Sequence, residues 1–403
     1  MRTIIVLTRE LHPLKRVRLT ELFMKEVSKY YKLIWLLNSK GSSRRIQKGN
    51  NDIILIPCLD PTRSVNEIFN IIHRIKKMVF LYRGKVEKMP DILLVNDGLI
   101  EGFFGYVYCR YHNIPFSFYL SSIFYNMDRE LFKQEKNIIN LYKFLISYIK
   151  EPLYRYLIRK CDIFHPISNS MGRHFGRIRK NGMTYPLPLC PSNFFLDEGN
   201  KKEMAISNNG KIVLIYIGQI TAVRKIENLI KLLEIVMERT KNNNIHLHLV
   251  GRIYSRKYGE KLRVLSEKEP LKGHVKIMGE KPMQEIPRLI RNASIGLSIL
   301  PPIEAYRVSS PTKVLEYLSQ GIPVICNSEI EDQNRIIVES KGGFSVPYNL
   351  EEISLKVMEL IEHPEKAYKL GTLGRGWIIN NRTYPIIADR MNREYLTYFG
   401  WRE

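Results

Sequence analysis

Residues Ile212–Val236 read IVLIYIGQITAVRKIENLIKLLEIV. An unbroken apolar run ends at Gly218, a short loop follows, and apolar residues then recur at helical spacing. A wholly apolar strand feeding an amphipathic helix is the repeating unit of a parallel sheet covered on both faces. The same alternation extends in both directions. Strands are expected near Thr3–Leu7, Leu33–Leu37, Ile53–Ile56, Ile92–Val95, Phe116–Leu120 and Ile163–Ile167. A second series is expected near Ile212–Ile217, His246–Val250, Val275–Met278, Ile295–Leu300, Pro323–Cys326 and Gly343–Val346. Two such series imply two doubly wound α/β domains. Between them, Pro186–Gly210 is rich in Pro, Asn, Ser, Gly and charge, as a hinge should be. Helices are expected at Leu350–Glu362, Pro364–Gly371 and Tyr384–Tyr398, the last with Pro385 in its first turn. No internal repeat or low-complexity tract is present.

Composition narrows the class. The chain has 403 residues, 44% of them hydrophobic, and a mean hydropathy of −0.21. That is enough apolar material for a packed core and excludes global disorder. No run reaches the roughly 18 apolar residues of a spanning helix. The opening MRTIIVLTREL reads as a buried first strand and not as a signal peptide. Five scattered cysteines without a CxxC pair suggest small core side chains in a reducing compartment. Sixty-three Lys and Arg against 40 Asp and Glu give +23 and a pI near 9.7. Such a chain attracts phosphates, whether of nucleic acid, lipid headgroups or small molecules. The plainer alternative is a solvated basic surface.

The strongest local signal is SSPTKVLEYLSQGIPVICN, Ser309–Asn327. Ser310 is a good N-cap, Pro311 suits the first helical position, and Gly321 ends the helix. A helix start at the carboxyl edge of a sheet presents free N–H groups to an anion. Thr312 and Lys313 add a hydroxyl and an ammonium there, and Glu316 lies on the same face as Lys313. The alternative is an ordinary capped helix with a surface Lys–Glu pair. In the loop after Gly218, Arg224 and Lys225 open a helix and suit a diphosphate. Gly251-Arg252 and Gly279-Glu280-Lys281 follow two further strands and fall at the same sheet edge, with backbone groups for a base.

These residues resemble those of retaining glycosyltransferase family 4, of the GT-B fold. The resemblance rests, in order, on IGQITAVRKIENLI, HLHLVGR, HVKIMGEKPMQEIPRLIRNASIGLSILP, SPTKVLEYLSQGIPVIC and ESKGGFSVP, across Gly218–Pro347. The first half matches loosely through PDILLVNDG, NIPFSFYL and CDIFHPISNSM. The resemblance implies two Rossmann-like domains with parallel sheets and a C-terminal helix crossing back to the first. The expected division is an acceptor-binding domain over residues 1–190, a linker over 191–210, a donor-binding domain over 211–375 and the returning helix within 376–403. It also implies sugar transfer from a nucleoside-diphosphate sugar to a lipid-linked glycan, polysaccharide or glycoprotein glycan. Retention at the anomeric carbon is implied, without metal or other cofactor. Arg224 or Lys225 takes the cationic position, Glu316 the ribose, and Ser310–Lys313 the phosphates; Gly218, Gln219, Gly251, Arg252, Gly279, Glu280 and Lys281 complete the donor side. Four features depart from the family pattern, the first being that RELHPLKRVRL stands where a Gly-Gly turn is common after the first strand. Val308 stands where an earlier glutamate is usual, with Glu304 out of register. Gln219 replaces an arginine, and no histidine lies near Ser121.

On the acceptor side the candidates are Arg9, His12, Asn96, Asp97 and Ser121, all at strand ends; the alternative is loops that satisfy their own hydrogen bonds. His246-Leu247-His248 puts two imidazoles on one strand face, but no third metal ligand can be placed beside them, and packing under a helix is the expected role. Ile68–Lys88 and Phe132–Lys160 mix cations with aromatic and aliphatic residues; the second holds seven Lys or Arg and two Glu. Such faces suit an anionic membrane, although the expected arrangement sends the apolar residues inward. The expected location is the cytoplasm, with contact at the inner face of the cell membrane. No nucleic-acid module is present. The competing readings are a non-catalytic binder of nucleotide sugars or anionic surfaces, and a GT-B nucleotide-sugar epimerase.

Overall fold

The computed structural model describes residues 1–59, 69–70, 72–74, 76–77, 89–197 and 211–402. These form two compact units. The first comprises Met1–Tyr125, Leu145–Pro188 and Tyr384–Glu403, and the second Asn126–Phe144 and Leu189–Thr383. Most of Ile68–Lys88, and residues 198–210 of the hinge, lie outside the described residues.

The first unit holds β1 (Thr3–Leu11), β2 (Lys32–Ser39), β3 (Arg44–Lys48), β4 (Asn51–Pro57), β5 (Ile92–Asn96), β6 (Phe116–Leu120), β7 (Ile163–Pro166) and β8 (Met183–Thr184). They form one sheet in the order β3-β4-β2-β1-β5-β6-β7-β8. The sheet is not wholly parallel, as the strand series had implied. β3 runs antiparallel to β4 through the Gly49-Asn50 turn. RRIQK is too polar to read as a strand, because it sits at an edge with mostly exposed side chains. The final helix, Tyr384–Phe399, belongs to this unit. It is fixed by Tyr395, whose hydroxyl lies 2.7 Å from Nε2 of the buried His165, and by Asn392, which accepts from Tyr31 at 2.8 Å. Burial pushes the His165 imidazole down to about 4, so it is neutral at physiological pH.

The second unit holds β9 (Ile212–Ile217), β10 (Ile245–Val250), β11 (Val275–Gly279), β12 (Ile295–Ser298), β13 (Val324–Asn327) and β14 (Gly343–Val346). All are parallel, in the order β11-β10-β9-β12-β13-β14. Side chains of β9 alternate between two cores. Leu214 and Tyr216 join one, beneath Glu227–Thr240; Val213 and Ile215 join the other, beneath Thr312–Ser319. Burial on both faces is why the strand reads as continuously apolar. The helix expected at Pro364–Gly371 continues to Asn381.

In each sheet the chain steps one way from a central strand and then restarts on its other side, between β1 and β5 and between β9 and β12. The strands diverge there, and a crevice opens at their carboxyl ends. β9 and β12 pair only as far as Ile215 and Gly296. Beyond that the Tyr317 hydroxyl fills the gap, accepting from Ile217 N at 2.8 Å and donating to Leu297 O at 3.5 Å. Its ring lies flat on Gly296, where a Cβ would come within 2.4 Å of it.

The expected Ser310 cap is not formed. Thr312–Ser319 is preceded by Pro311, with no side-chain cap. The Ser310 hydroxyl instead donates to the Asp332 carboxylate at 2.6 Å and accepts from Arg382 Nη2 at 3.2 Å. A charge-assisted bond to a buried carboxylate outcompetes a neutral backbone cap. Arg382 also bonds Asp332 at 2.8 Å and Leu189 O at 2.9 Å. Burial opposes ionisation of Asp332, but Arg382, with Ser310 and Arg335, holds its carboxyl below the usual aspartate range. The resulting stability is present above that range and is lost as pH falls through the lowered value. Arg382→Met leaves the buried Asp332 carboxylate with only Arg335 and the Ser310 hydroxyl. Urea unfolding at pH 7 should show a loss of about 3 kcal/mol; a loss within error of zero would mean that this ion pair does not hold the helix start in place.

Candidate functional site

The carboxyl end of β9 carries the densest unbalanced charge. Gly218 has φ +139°, and a Cβ there would stand 2.8 Å from Arg224 Nη1 and 3.5 Å from Lys313 Nζ. Gly251, at the end of β10, backs directly onto it; a Cβ on Gly251 would meet Gly218 O at 1.8 Å. Two glycines therefore let the backbone turn aside and leave the space to the two cations.

Lys313 is only 5% exposed, and its Nζ sits 3.9 Å above the Tyr216 ring with no hydrogen-bond partner. Arg224 donates to the Tyr216 hydroxyl at 3.1 Å and its guanidinium lies 6.0 Å from the Tyr306 ring, yet its buried Nε has no partner. The adjacent cations do not act together. Arg224 ends a 3-10 turn, Ala222–Arg224, and points inward, whereas Lys225 takes a left-handed φ of 48° and is exposed. The α-helix starts only at Glu227.

Lys313 and Glu316 make no ion pair, so the surface-pair alternative does not hold. Burial, and then the charge of Arg224, hold the Lys313 ammonium well below its ordinary value, with Glu316 opposing. Burial raises the partly exposed Glu316 to about 7, with Lys313 and a hydrogen bond from Thr312 opposing the rise. An unpartnered buried ammonium beside a second cation is costly unless an anion joins it.

The remaining donor-side candidates surround this pair less closely. Gly251 N donates to Gly279 O at 2.8 Å, so those loops share one edge. Arg252 and Glu280 are exposed, Arg252 lying 5.1 Å from the Tyr254 ring, and Lys281 is half-buried. Gln219 donates to Tyr254 at 3.3 Å. Val308 is buried, and Glu304 accepts from Asn126 at 2.7 Å. Tyr216, Tyr306 and Tyr317 escaped the sequence reading. For Tyr216 the signal was present: a lone hydroxyl two residues before the strand-end glycine.

In the first unit, Asn96, Asp97, Ser121 and Arg9 do meet at the carboxyl ends of β1, β5 and β6. Asp97 has φ +62° and is fully engaged. Its carboxylate accepts from Ser121 N at 2.6 Å, Ser121 Oγ at 2.7 Å and Arg16 Nη1 at 3.1 Å. Arg9 and the buried Arg74 both pair with Glu101, at 3.3 and 2.8 Å. Arg18 donates to Asn96, lies 3.5 Å over the Tyr119 ring, and leaves Nη1 without a partner. His12 is held by its backbone, which donates to Asn38 O at 2.8 Å. Arg16, Arg18, Arg74 and Glu101 were missed, because no motif marks them.

The two strand histidines have a neighbour that the sequence did not place. His274 stacks on His246 at 5.1 Å and bonds Ile245 O at 3.0 Å. Burial, with nearby lysines, lowers His246 and His248 to about 4. Among the described residues no group of three or more His, Cys, Asp or Glu could hold a metal ion. Helix Ile138–Lys160 overturns the inward arrangement expected for its apolar residues, since Leu145, Ile149 and Tyr156 are exposed.

Two switch-point sheets and a returning C-terminal helix define the GT-B architecture. Similar structures include sucrose-phosphate synthase from Thermosynechococcus elongatus (14% identity, TM-score 0.72, all of both chains). Anabaena HepE in complex with UDP and glucose matches at 13% identity and TM-score 0.67, covering 98% of this chain and 100% of that one. An α,α-trehalose 6-phosphate synthase from Burkholderia multivorans matches at 10% identity and TM-score 0.67, covering 99% and 98%. At these identities the likeness shows the fold. Residues 197–377 match the family model of the group 1 glycosyl transferases, and the fold is of the GT-B type. No curated protein matches the sequence.

An anion bound beside Lys313 should raise its proton affinity, and that of Glu316 as well. Both effects have the same sign, so nucleoside-diphosphate binding at neutral pH should take up protons and weaken as pH rises. Calorimetry of UDP binding in buffers of different ionisation enthalpy would measure this; proton release on binding would refute the placement of the anion.

Proposed function

We propose that the chain transfers a sugar, with retention and without metal, from a nucleoside-diphosphate sugar to an acceptor held by the first unit. The observation that carries this is the pair of cations beside Gly218: Lys313, buried without a hydrogen-bond partner, and Arg224, whose buried Nε has none. The departing diphosphate takes their charge, and stabilising that leaving group is the main electrostatic task of the transition state. The N–H groups at the start of Thr312–Ser319 add to it. Glu316, one turn deeper, holds the ribose hydroxyls, and the loops at Gly251–Arg252 and Gly279–Lys281 face the base. Three compared structures support the donor class in their own names: HepE is described with UDP, with UDP-glucose, and with UDP and glucose.

Arg9, Arg16, Arg18, Asn96, Asp97 and Ser121 position the acceptor, with Asp97 acting through Ser121 and Arg16. The acceptor is a lipid-linked glycan, polysaccharide or glycoprotein glycan, met at the inner face of the cell membrane from the cytoplasm. Among the described residues no helix is long and apolar enough to cross a membrane. An epimerase would need free acid and base groups beside the sugar, and the Asp97 carboxylate is committed to Ser121 and Arg16.

The test is a thermal-shift screen with UDP, GDP, ADP and CMP and their sugar conjugates, followed by turnover with the ligand that stabilises the fold. Arg224→Ala should lower turnover roughly 100-fold or more, as loss of a transition-state contact does, and Glu316→Ala should weaken donor binding, while Lys225→Ala stays near wild type. The product should keep the donor's anomeric configuration, and chelators should leave the rate unchanged. Undiminished turnover in Arg224→Ala would sink the assignment.

A further inference from the structure

Helix Ile138–Lys160 is apolar on two opposite sides. Tyr154, Leu157 and Ile158 are buried against the first sheet. Within the first unit Leu145, Ile149 and Tyr156 recur at helical spacing on the other side, and Ile149 is 62% exposed. From Leu145 to Tyr156 this row runs about 17 Å. A helix apolar on both sides belongs inside a core or against lipid, and nothing among the described residues covers the outer side of this one.

Helix Leu99–His112 lies beside it. Both helices pack on Phe118 of β6, and Phe103 stacks on Tyr156 at 5.8 Å. Its side away from the sheet carries Phe104, Val107 and Tyr111, the last two 61% and 77% exposed. Two adjacent helices on one face of one sheet thus both present apolar and aromatic residues to solvent, far beyond the isolated exposed side chains usual on a surface.

At the carboxyl-terminal ends of these helices is a cavity of about 780 Å³ lined by Arg110, Arg159, Lys160, Arg177, Lys180 and Asp162. Five cations face one carboxylate. Arg110 pairs with Asp162 at 2.9 Å; the other four make no ion pair among the described residues. A cation at a helix end is ordinary capping, but four unpaired cations around one cavity exceed what three helix ends require. The cavity lies at the amino-terminal edge of the sheet, before β7 and β8, away from the strand ends that carry Asp97.

We propose that the outer sides of helices Leu99–His112 and Ile138–Lys160, with the adjoining basic cavity, dock on an anionic lipid bilayer. The apolar rows enter the interface, aromatic residues sit at headgroup depth, and the cavity takes lipid phosphates. Charge complementarity selects this occupant: a protein partner would need an acidic apolar surface, whereas an anionic bilayer supplies both properties everywhere. The inference rests on the membrane-proximal part of the proposed function and is independent of donor chemistry.

The test is co-sedimentation of the full chain with phosphatidylcholine vesicles, with and without phosphatidylglycerol. Wild type should bind the anionic vesicles, weaken with salt, and leave neutral vesicles largely unbound. Leu145→Glu/Ile149→Glu and Arg159→Glu/Lys180→Glu should each weaken binding roughly tenfold or more. An unchanged melting transition in each variant shows that the fold is kept. Binding by wild type that neither variant reduces would overturn this surface while leaving the membrane reading intact. No binding by wild type, or equal binding to neutral vesicles, would overturn both. Self-association abolished by Leu145→Glu/Ile149→Glu, without vesicle binding, would make a second copy the occupant and overturn the proposal. A missing UDP shift in every variant and in wild type would count against the donor site alone.

Discussion

Two cations kept from water without a counter-charge are the constraint to which the second unit is built. Removing an ammonium and a guanidinium from water beside one another is costly, and no carboxylate offsets it at contact distance. The surrounding structure makes the arrangement possible. Gly218 and Gly251 remove the Cβ atoms that would fill the space. Tyr216 offers its ring to Lys313 and its hydroxyl to Arg224. Tyr317 satisfies the backbone of the diverging strands. The buried Ser310–Asp332–Arg382 cluster anchors the residue two before the helix start. A site that stores unfavourable charge in its empty state gains most from a ligand that brings the opposite charge.

The edge of the first sheet is built on the contrary principle. It is as rich in arginine, but Glu10, Asp97 and Glu101 neutralise most of the charge. Such a network fixes orientation and offers no strong anion site. That contrast fits an acceptor with neutral hydroxyls better than a second phosphate. It also shows why the residue types at this edge say less than their bonds: Asp97 looks like a free base until its three hydrogen bonds are known.

The central strands followed from the sequence because each is buried on both faces and leaves a continuous apolar run. β3 was illegible because an edge strand need not be apolar. The helix Thr312–Ser319 was legible through the spacing of Lys313 and Glu316, which is local. Its cap was not, since Asp332 and Arg382 reach Ser310 from 22 and 72 residues away. Which of Arg224 and Lys225 turns inward depends on one left-handed φ that the sequence does not announce. The outer side of Ile138–Lys160 was misjudged because a helix apolar on both sides gives no period from which to tell inside from outside.

The central claim is that Lys313 and Arg224 await a diphosphate. Calorimetry comparing each of UDP, GDP and ADP with its parent nucleoside, on wild type and on Lys313→Met, tests it most directly. The account predicts that one nucleotide binds wild type far more tightly than its nucleoside, and that the Met variant loses most of that difference while keeping its affinity for the nucleoside. Equal binding of nucleotide and nucleoside to wild type, or an undiminished difference in Lys313→Met, would contradict it.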